Sequence, residues 1–282
     1  MTDLPHTLAF IGAGHMAEAI ARAAIDHGVL PADRLIASDP TPERRVVFAD
    51  LGVATTDDNA AAVASAEQVL LATKPQAITA AGGALARQFG DALRDGQIVI
   101  TIMAGITTAK LADALGRPAD ATPIVRVMPN TPMLVGRGMA GVALGPGARP
   151  GDDDLAMRLF SAGNSKAIRV DEPHLDAVTA VSGSGPAYLF YLAEAMTRAA
   201  HDLGLADHAD TLVAQTLLGS AELLADSEHP PAELRRRVTS PGGTTEAAIN
   251  HLDGNTSHDV IVNALKAAAT RSVELGLVKS ND

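Results

Sequence analysis

The sequence contains no cysteine and no tryptophan, and only two tyrosines and five phenylalanines among 282 residues. Without cysteine there is no disulfide, no thiolate nucleophile and no Cys-ligated metal. With so few aromatic rings the core must be filled by Ala, Leu, Val and Ile, which suits closely packed helices and parallel strands. No apolar run approaches the ~18 residues that span a bilayer. Met1 to His6 is polar and leads straight into a short strand, so neither a membrane partner nor a secretory leader is expected. Basic residues are also short: 22 against 33 acidic, a formal charge of −11. A surface of that sign repels phosphate backbones and anionic lipid, so no nucleic-acid or membrane partner is expected; with no leader and no spanning run expected, a cytoplasmic protein is the default. A small anionic ligand stays compatible with this charge where backbone amides hold it.

What is present is an ordinary globular composition, 47% hydrophobic and 20% charged. The length favours two domains. In the first half, short β-rich runs alternate with helical stretches. Strands are predicted at Leu8–Ile11, Leu35–Ser38, Val69–Thr73, Ile98–Ile102, Ile124–Met128, Met139–Leu144 and Ala167–Val170. Helices are predicted at Gly14–His27, Pro42–Leu51, near Ile78–Phe89 and at Thr107–Leu115, with another opening at Asp152–Asp154, where three acids suit the helix dipole. This alternation predicts a parallel sheet covered on both faces. From about Asp171 onward only helices are predicted: Leu175–Thr179, Pro186–Leu203, Ala209–Ala225, Pro231–Val238, Thr244–Leu252 and Ser257–Leu275. The expected division is 1–170, a Rossmann dinucleotide-binding domain, and 171–282, an all-α domain. Ala187–Ala195 and Leu212–Leu224 are apolar nearly all round, which requires burial on all sides. A helical domain this small cannot supply that alone, so an obligate oligomer is expected.

The strand at Leu8–Ile11 runs into Gly12-Ala13-Gly14-His15-Met16-Ala17, the pattern G-x-G-x-x-A. Gly12 allows the tight turn, Gly14 lets the backbone approach a pyrophosphate, and Ala17 lets the helix pack on the sheet. The unpaired amides at the helix start would hold the phosphates. Asp39, at the end of the second strand, bears on the choice between NADH and NADPH. An acid there accepts from a ribose 2′-hydroxyl and repels a 2′-phosphate. If Asp39 turns away, Ser38 can bond the phosphate and Arg44 or Arg45 can neutralise it. The nine histidines show no metal pattern: His201 and His208 are split by Gly204, and His251 and His258 by Gly254, so no metal site is expected.

Further segments narrow the reading. Leu71-Ala72-Thr73-Lys74-Pro75-Gln76 falls at a strand end. Val127-Met128-Pro129-Asn130-Thr131-Pro132 follows a later strand. Val181-Ser182-Gly183-Ser184-Gly185-Pro186-Ala187-Tyr188 opens a long apolar helix. Val238-Thr239-Ser240-Pro241-Gly242-Gly243-Thr244-Thr245 opens another. In this order, over essentially the whole length, the chain resembles pyrroline-5-carboxylate reductase, and the Ser-Pro-Gly-Gly-Thr-Thr segment is the most specific part of the resemblance.

The resemblance implies an α/β Rossmann-type domain followed by an all-α dimerisation domain. It implies hydride transfer from a nicotinamide cofactor to the C=N carbon of 1-pyrroline-5-carboxylate, giving L-proline, the last step of proline biosynthesis. Cofactor-binding positions carried over are Gly12, Ala13, Gly14, His15, Met16, Ala17, Ser38, Asn59, Ala72, Thr73, Lys74, Pro75, Ile102, Met103 and Ala104. Substrate-binding positions are Ser240, Gly242, Gly243, Thr244 and Thr245, with Thr245 as the catalytic group that orients the ring nitrogen. NADPH is the implied cofactor; Asp39 departs from the neutral or basic residue of many members and leaves NADH open. A homodimer or higher assembly, such as a ring of dimers, is the implied partner state.

The chemistry fits from the residues upward. A small cyclic imine with one carboxylate needs donors, and a Gly-Gly turn opening a helix, with three hydroxyls, offers them. Gly183 and Gly185 read better as packing glycines than as ligands. Asn130 reads equally as a turn former and as a ligand-facing group. Lys74 is either a cofactor contact or a strand-end lysine. Arg235, Arg236 and Arg237 read as a solvated face near the substrate loop. Two other readings stay open: a different Rossmann oxidoreductase, such as a β-hydroxyacid dehydrogenase or an imine reductase, and a nucleotide-sensing scaffold. A β-hydroxyacid dehydrogenase counts a lysine on the long helix among its groups, and Gly185–Met196 has none, which counts against alcohol oxidation; a sensor has no use for a second anion cradle.

Overall fold

The computed structural model describes residues 4–74 and 84–277. The chain forms two compact units: Met1–Ser184 together with Ala268–Asp282, and Gly185–Ala267.

The first unit is built on β1 (His6–Ile11), α1 (His15–Asp26), β2 (Leu35–Ser38), α2 (Pro42–Ala49), β3 (Ala54–Thr56), α3 (Asn59–Ser65), β4 (Ala66–Leu71), α4 (Ala84–Ala92), β5 (Ile98–Thr101), α5 (Thr108–Ala114), β6 (Ile124–Met128), β7 (Met139–Leu144), α6 (Asp154–Phe160), β8 (Lys166–Arg169) and α7 (Leu175–Val178). The strands form one sheet in the order β3-β2-β1-β4-β5-β6-β7-β8. From β3 to β6 every pairing is parallel. The fully parallel sheet expected from the sequence is corrected at β7, which runs antiparallel to β6, while β8 runs parallel to β7. The physical reason is connection length: the link from Met128 to Met139 is one 3-10 turn, Thr131–Val135, too short for a crossover helix.

The pleat divides the core into two layers. Leu8 and Phe10 face one side with Leu35, Ala37, Ile100 and Val127, packed on Ile20, Phe48 and Phe160. Ala9 and Ile11 face the other with Ile36, Val99 and Ile124, packed on Val63, Phe89 and Leu111. Each fully buried Leu, Ile or Phe contributes about 1.5–3 kcal/mol. Four of the five phenylalanines are buried here, and the Phe10 and Phe48 ring centroids lie 5.8 Å apart, tilted by 59°.

Local sequence explains the helix ends. Pro42 begins α2 after Thr41. Asp58 caps α3 by accepting from Ala61 N, and Thr107 caps α5 by accepting from Lys110 N. The strand β3 and helix α3 have no counterpart in the sequence reading; both are short, and α3 is Ala-rich with little amphipathic pattern. The strand expected over Val69–Thr73 ends at Leu71, leaving Ala72 and Thr73 in the loop. Of the helix expected near Ile78–Phe89, residues 78–83 lie outside the described residues, and α4 covers the rest. Of the three acids at Asp152–Asp154, only Asp154 lies in the first turn of α6. Asp153 is its N-cap residue, and the carboxylates of Asp153 and Asp154 both pair with Arg169, at 2.6 and 3.0 Å.

The helix expected at Leu175–Thr179 breaks after Val178 into a π-helical turn, Thr179–Gly183, closed by Ser184 N donating to Thr179 O at 2.8 Å. Asn130 holds this turn. Its Nδ2 donates to Ser182 Oγ (3.1 Å), and its Oδ1 accepts from Met139 N (2.9 Å). Gly183 is a packing glycine, since a Cβ there would lie 2.6 Å from Met128 Cε.

The second unit is helical: α8 (Gly185–Asp202), α9 (Ala209–Asp226), α10 (Pro231–Arg237), α11 (Thr244–Gly254) and the first part of α12 (Ser257–Leu277). No strand occurs in it. Helices α8 and α9 pack on each other, yet α8 has no buried residue and α9 buries only Ala209 and Val213. Phe190 is 65% and Tyr191 76% exposed in the single chain. Among the described residues no helix is long and apolar enough to cross a membrane.

Candidate active site

Strand order reverses between β1 and β4, so the crevice at the carboxyl ends of these strands is the switch point of the sheet, where such folds bind their ligands. Gly12 leaves β1 there with φ +94°, a conformation open to glycine, and its amide donates to Ser38 O at 2.8 Å. A Cβ on Gly12 would lie 3.1 Å from Ala72 C, Ala72 O and Thr73 Cγ2. The structure therefore brings Ala72 and Thr73 against the glycine turn. Thr73 Oγ1 also lies 3.8 Å from Met103 Sδ, which joins the loop after β5 to the same cluster.

Helix α1 starts at His15 with Gly14 as N-cap, so no side chain caps its first amides. A Cβ on Gly14 would meet nothing within 4 Å. Ala13 and Ala17 are buried, while Gly14 and His15 are exposed. Uncapped amides, a positive helix end and open space at Gly14 fit the diphosphate of a dinucleotide.

The far end of the crevice holds a charged network that the sequence reading left unresolved. Asp39 turns inward: Oδ2 accepts from Ala13 N (2.8 Å) and Oδ1 from Thr41 N (2.9 Å). Arg44 Nε donates to Ala13 O (2.6 Å), and its Nη2 pairs with Glu18 at 2.8 Å. The Arg44 guanidinium, helped by Arg22, holds the Glu18 carboxyl below the usual carboxylate range. Arg45 Nη1 donates to Asp39 O (2.7 Å). Ser38 is fully buried, and its hydroxyl donates to Asn59 Oδ1 at 2.7 Å. Ser38 and Asn59 are thus brought together, though Ser38 reaches the surface only through its partner. The sequence carries a signal for the Thr41 bond alone: Asp39-Pro40-Thr41 is an Asx-turn pattern, which ties a carboxylate to the amide two residues on.

Of the remaining cofactor positions, Ile102 and Met103 lie in the loop after β5, with Met103 buried and Ala104 exposed. Lys74 is exposed past β4, and Pro75 lies outside the described residues.

The helical unit carries a second glycine-opened helix start. Gly242 has φ +71°, which favours glycine, and its amide donates to Glu246 Oε2 at 2.7 Å. Gly243 is the N-cap of α11, its amide donates to Ser240 O at 3.0 Å, and a Cβ there would lie 3.0 Å from that same oxygen. Ser240, Gly242, Gly243, Thr244 and Thr245 therefore share one turn, with Thr245 half-buried and Thr244 exposed. The arginine run just upstream is not free to attract anions at full strength. Arg236 and Arg237 both bond Glu233 (2.7 and 2.9 Å), which pushes the Glu233 carboxyl down to about 2. No cluster of three or more His, Asp or Glu side chains suited to a metal occurs among the described residues.

A parallel-core sheet with a glycine turn at its switch point defines a Rossmann-type dinucleotide-binding protein. Comparison with known proteins agrees. Residues 7–105 match the family model "NADP oxidoreductase coenzyme F420-dependent", and residues 172–275 match "Pyrroline-5-carboxylate reductase dimerisation". The pyrroline-5-carboxylate reductase of Pseudomonas aeruginosa is 45% identical over 95% of this chain and 96% of its own length. That of Pisum sativum is 36% identical over 96% of each. Among solved structures, a pyrroline-5-carboxylate reductase from Coxiella burnetii has a TM-score of 0.88 at 35% identity, covering 97% of this chain and all of its own. A Plasmodium falciparum pyrroline carboxylate reductase with NADP bound has a TM-score of 0.81 at 27% identity, covering 98% of this chain and 99% of its own. The chain belongs to the pyrroline-5-carboxylate reductase family.

Proposed function

We propose that this protein reduces the C=N bond of 1-pyrroline-5-carboxylate with NADPH to give L-proline, the closing step of proline biosynthesis. The observation that carries the reading is that, in a member of this family, each unit carries a glycine-opened helix start, at α1 and at α11. Bound NADPH supplies the hydride. The amides of Gly14, His15, Met16 and Ala17 hold its diphosphate, with Gly12 and Ala13 shaping the turn. Ser38 and Asn59 serve the ribose end. Ala72, Thr73, Lys74, Ile102, Met103 and Ala104 serve the nicotinamide half.

On the second cradle, the main-chain amide of Thr244, with the Ser240 and Thr244 hydroxyls, holds the substrate carboxylate, while Gly242 and Gly243, whose amides are engaged by Glu246 Oε2 and Ser240 O, shape the turn. Thr245 orients the ring nitrogen through its hydroxyl. An imine that arrives protonated needs no strong protein acid, which suits a site whose candidate groups are amides and hydroxyls.

Self-association follows from the dimerisation region at 172–275. Leu189, Phe190, Leu212 and Leu223 are exposed in the single chain, and we infer a homodimer in the cytoplasm that covers them. Light scattering distinguishes that dimer from a ring of dimers.

The test is Thr245→Ala assayed with authentic pyrroline-5-carboxylate and NADPH. Loss of one hydrogen bond to the substrate lowers kcat/KM roughly 10- to 100-fold, while circular dichroism stays unchanged and Thr245→Ser restores much of the rate. An unchanged kcat/KM removes Thr245 from the mechanism. Absence of any NADPH or NADH oxidation by the wild type overturns the function.

A further inference from the structure

We propose that Asp39 is a positioning residue for the cofactor site: its carboxylate clamps the Ala13 peptide and does not read the cofactor ribose. The inference rests on the reading that Gly12–Ala17 cradles the dinucleotide.

Both carboxylate oxygens of Asp39 are engaged by main-chain amides. Oδ1 accepts from Thr41 N within its own turn. Oδ2 reaches back to Ala13 N, in the middle of the glycine turn. The same residue is gripped on its other polar group, because Arg44 Nε donates to Ala13 O. Arg44 is in turn fixed by Glu18 on the helix that the turn opens. Ala13 itself is fully buried, so water offers its amide no replacement partner. One residue of the cradle thus has its N–H and its C=O each held by a charged side chain. The amides of Gly14 and His15 follow it directly, so their direction is set by this grip.

A ribose-reading acid in this position would have to swing Asp39 away from Ala13. That leaves a buried amide without an acceptor, a loss comparable to what one hydroxyl contact returns. No net drive remains for the swing. The carboxylate therefore acts equally on NADPH and NADH, since both carry the same diphosphate. Selectivity between them lies elsewhere on the crevice.

The experiment compares wild type with Asp39→Ser in three measurements. Equilibrium titration gives Kd for NADPH and for NADH. Steady-state kinetics separate cofactor KM from kcat. Amide hydrogen exchange of Ala13 is followed in the cofactor-free protein. The expected result is a parallel rise of both Kd values, roughly tenfold or more, with their ratio kept within about twofold. The loss falls on cofactor KM more than on kcat, and Ala13 exchanges roughly tenfold or more faster. Where the serine variant does not fold, Asp39→Asn keeps one acceptor oxygen and is expected to show the same parallel loss at smaller size. A selective loss of NADH binding with a gain for NADPH, and Ala13 exchange unchanged, overturns the inference alone. Wild-type protein that binds neither nucleotide overturns the cradle reading, and the inference with it.

Discussion

The two glycines of the nucleotide turn should fail in opposite ways when each is replaced by alanine. Gly12 sits at φ +94°, where a side chain costs about 1–3 kcal/mol of backbone strain. Its new methyl would also lie 3.1 Å from Ala72 C and O. That backbone cannot recede freely, because Ala72 N is tied to Ile11 O at 2.9 Å. Overpacking of this kind adds about 1–3 kcal/mol. At about 2–4 °C per kcal/mol, Gly12→Ala should melt roughly 5–20 °C below wild type with no ligand present. Gly14 is different: its backbone is extended (φ −68°, ψ 177°), and a Cβ there meets nothing within 4 Å. The cost to the free protein is under about 1 kcal/mol. The methyl instead occupies the space in front of the α1 amides, and losing hydrogen bonds to a charged ligand costs about 1.5–3 kcal/mol. Gly14→Ala should therefore melt near wild type alone, bind NADPH roughly 10- to 150-fold more weakly, and gain little from added cofactor. Wild type should gain about 2.7 kcal/mol at 100 times its Kd. Thermal melts with and without NADPH, plus a fluorescence titration, make the comparison. Refutation is a Gly14→Ala protein that binds NADPH like wild type, or one whose unliganded melting falls as far as that of Gly12→Ala.

Three further outcomes are expected. Gly183→Ala places a methyl 2.6 Å from Met128 Cε and should cost about 1–2 kcal/mol; adding Met128→Ala should return part of it, and strictly additive urea midpoints would show that the two residues do not touch. Glu18 is held below its usual pKa by Arg44 and Arg22, so its folded value lies under its unfolded one. Its stabilisation is complete above about pH 4.5 and disappears as pH falls through the lowered value; Glu18→Gln should flatten that acid limb, and an unchanged limb would sink the prediction. Dilution should couple loss of the dimer to loss of helix signal, because α8 and α9 leave large apolar side chains uncovered in one chain; a folded, active monomer at low concentration contradicts this.

The sheet and most helices were legible because their signals are local and repeated. The apolar strand-length run Ile98–Ile102 and the helical stretch Thr107–Leu115 match their elements within a residue or two. The glycine turn was legible because each position has a separate steric demand. What escaped detection was set by tertiary contact. The reversal of β7 depends on a short link, not on the strand's own composition. The π turn at Thr179–Gly183 depends on Asn130 and Met128, about fifty residues earlier in the chain. The orientation of Asp39 was the decisive ambiguity. Its residue type suggested a ribose acceptor, and only the placement of Ala13 N at 2.8 Å shows where its charge is directed.

Helix α12 begins in the second unit, but from Ala268 onward it belongs to the first. There Ser272 Oγ bonds Asp176 Oδ1 at 2.6 Å, Lys110 Nζ bonds Gly276 O, and Leu275 Cβ would lie 3.5 Å from a Cβ on Gly105, in the loop that follows β5. The helical unit is thus an insertion between two stretches of the nucleotide-binding unit. During synthesis the contacts of Ser272, Leu275 and Gly276 with that unit form only after the final helix has left the ribosome. A fragment truncated after Ser184 would lack its own closing piece, beside the loop that carries Met103 and Ala104.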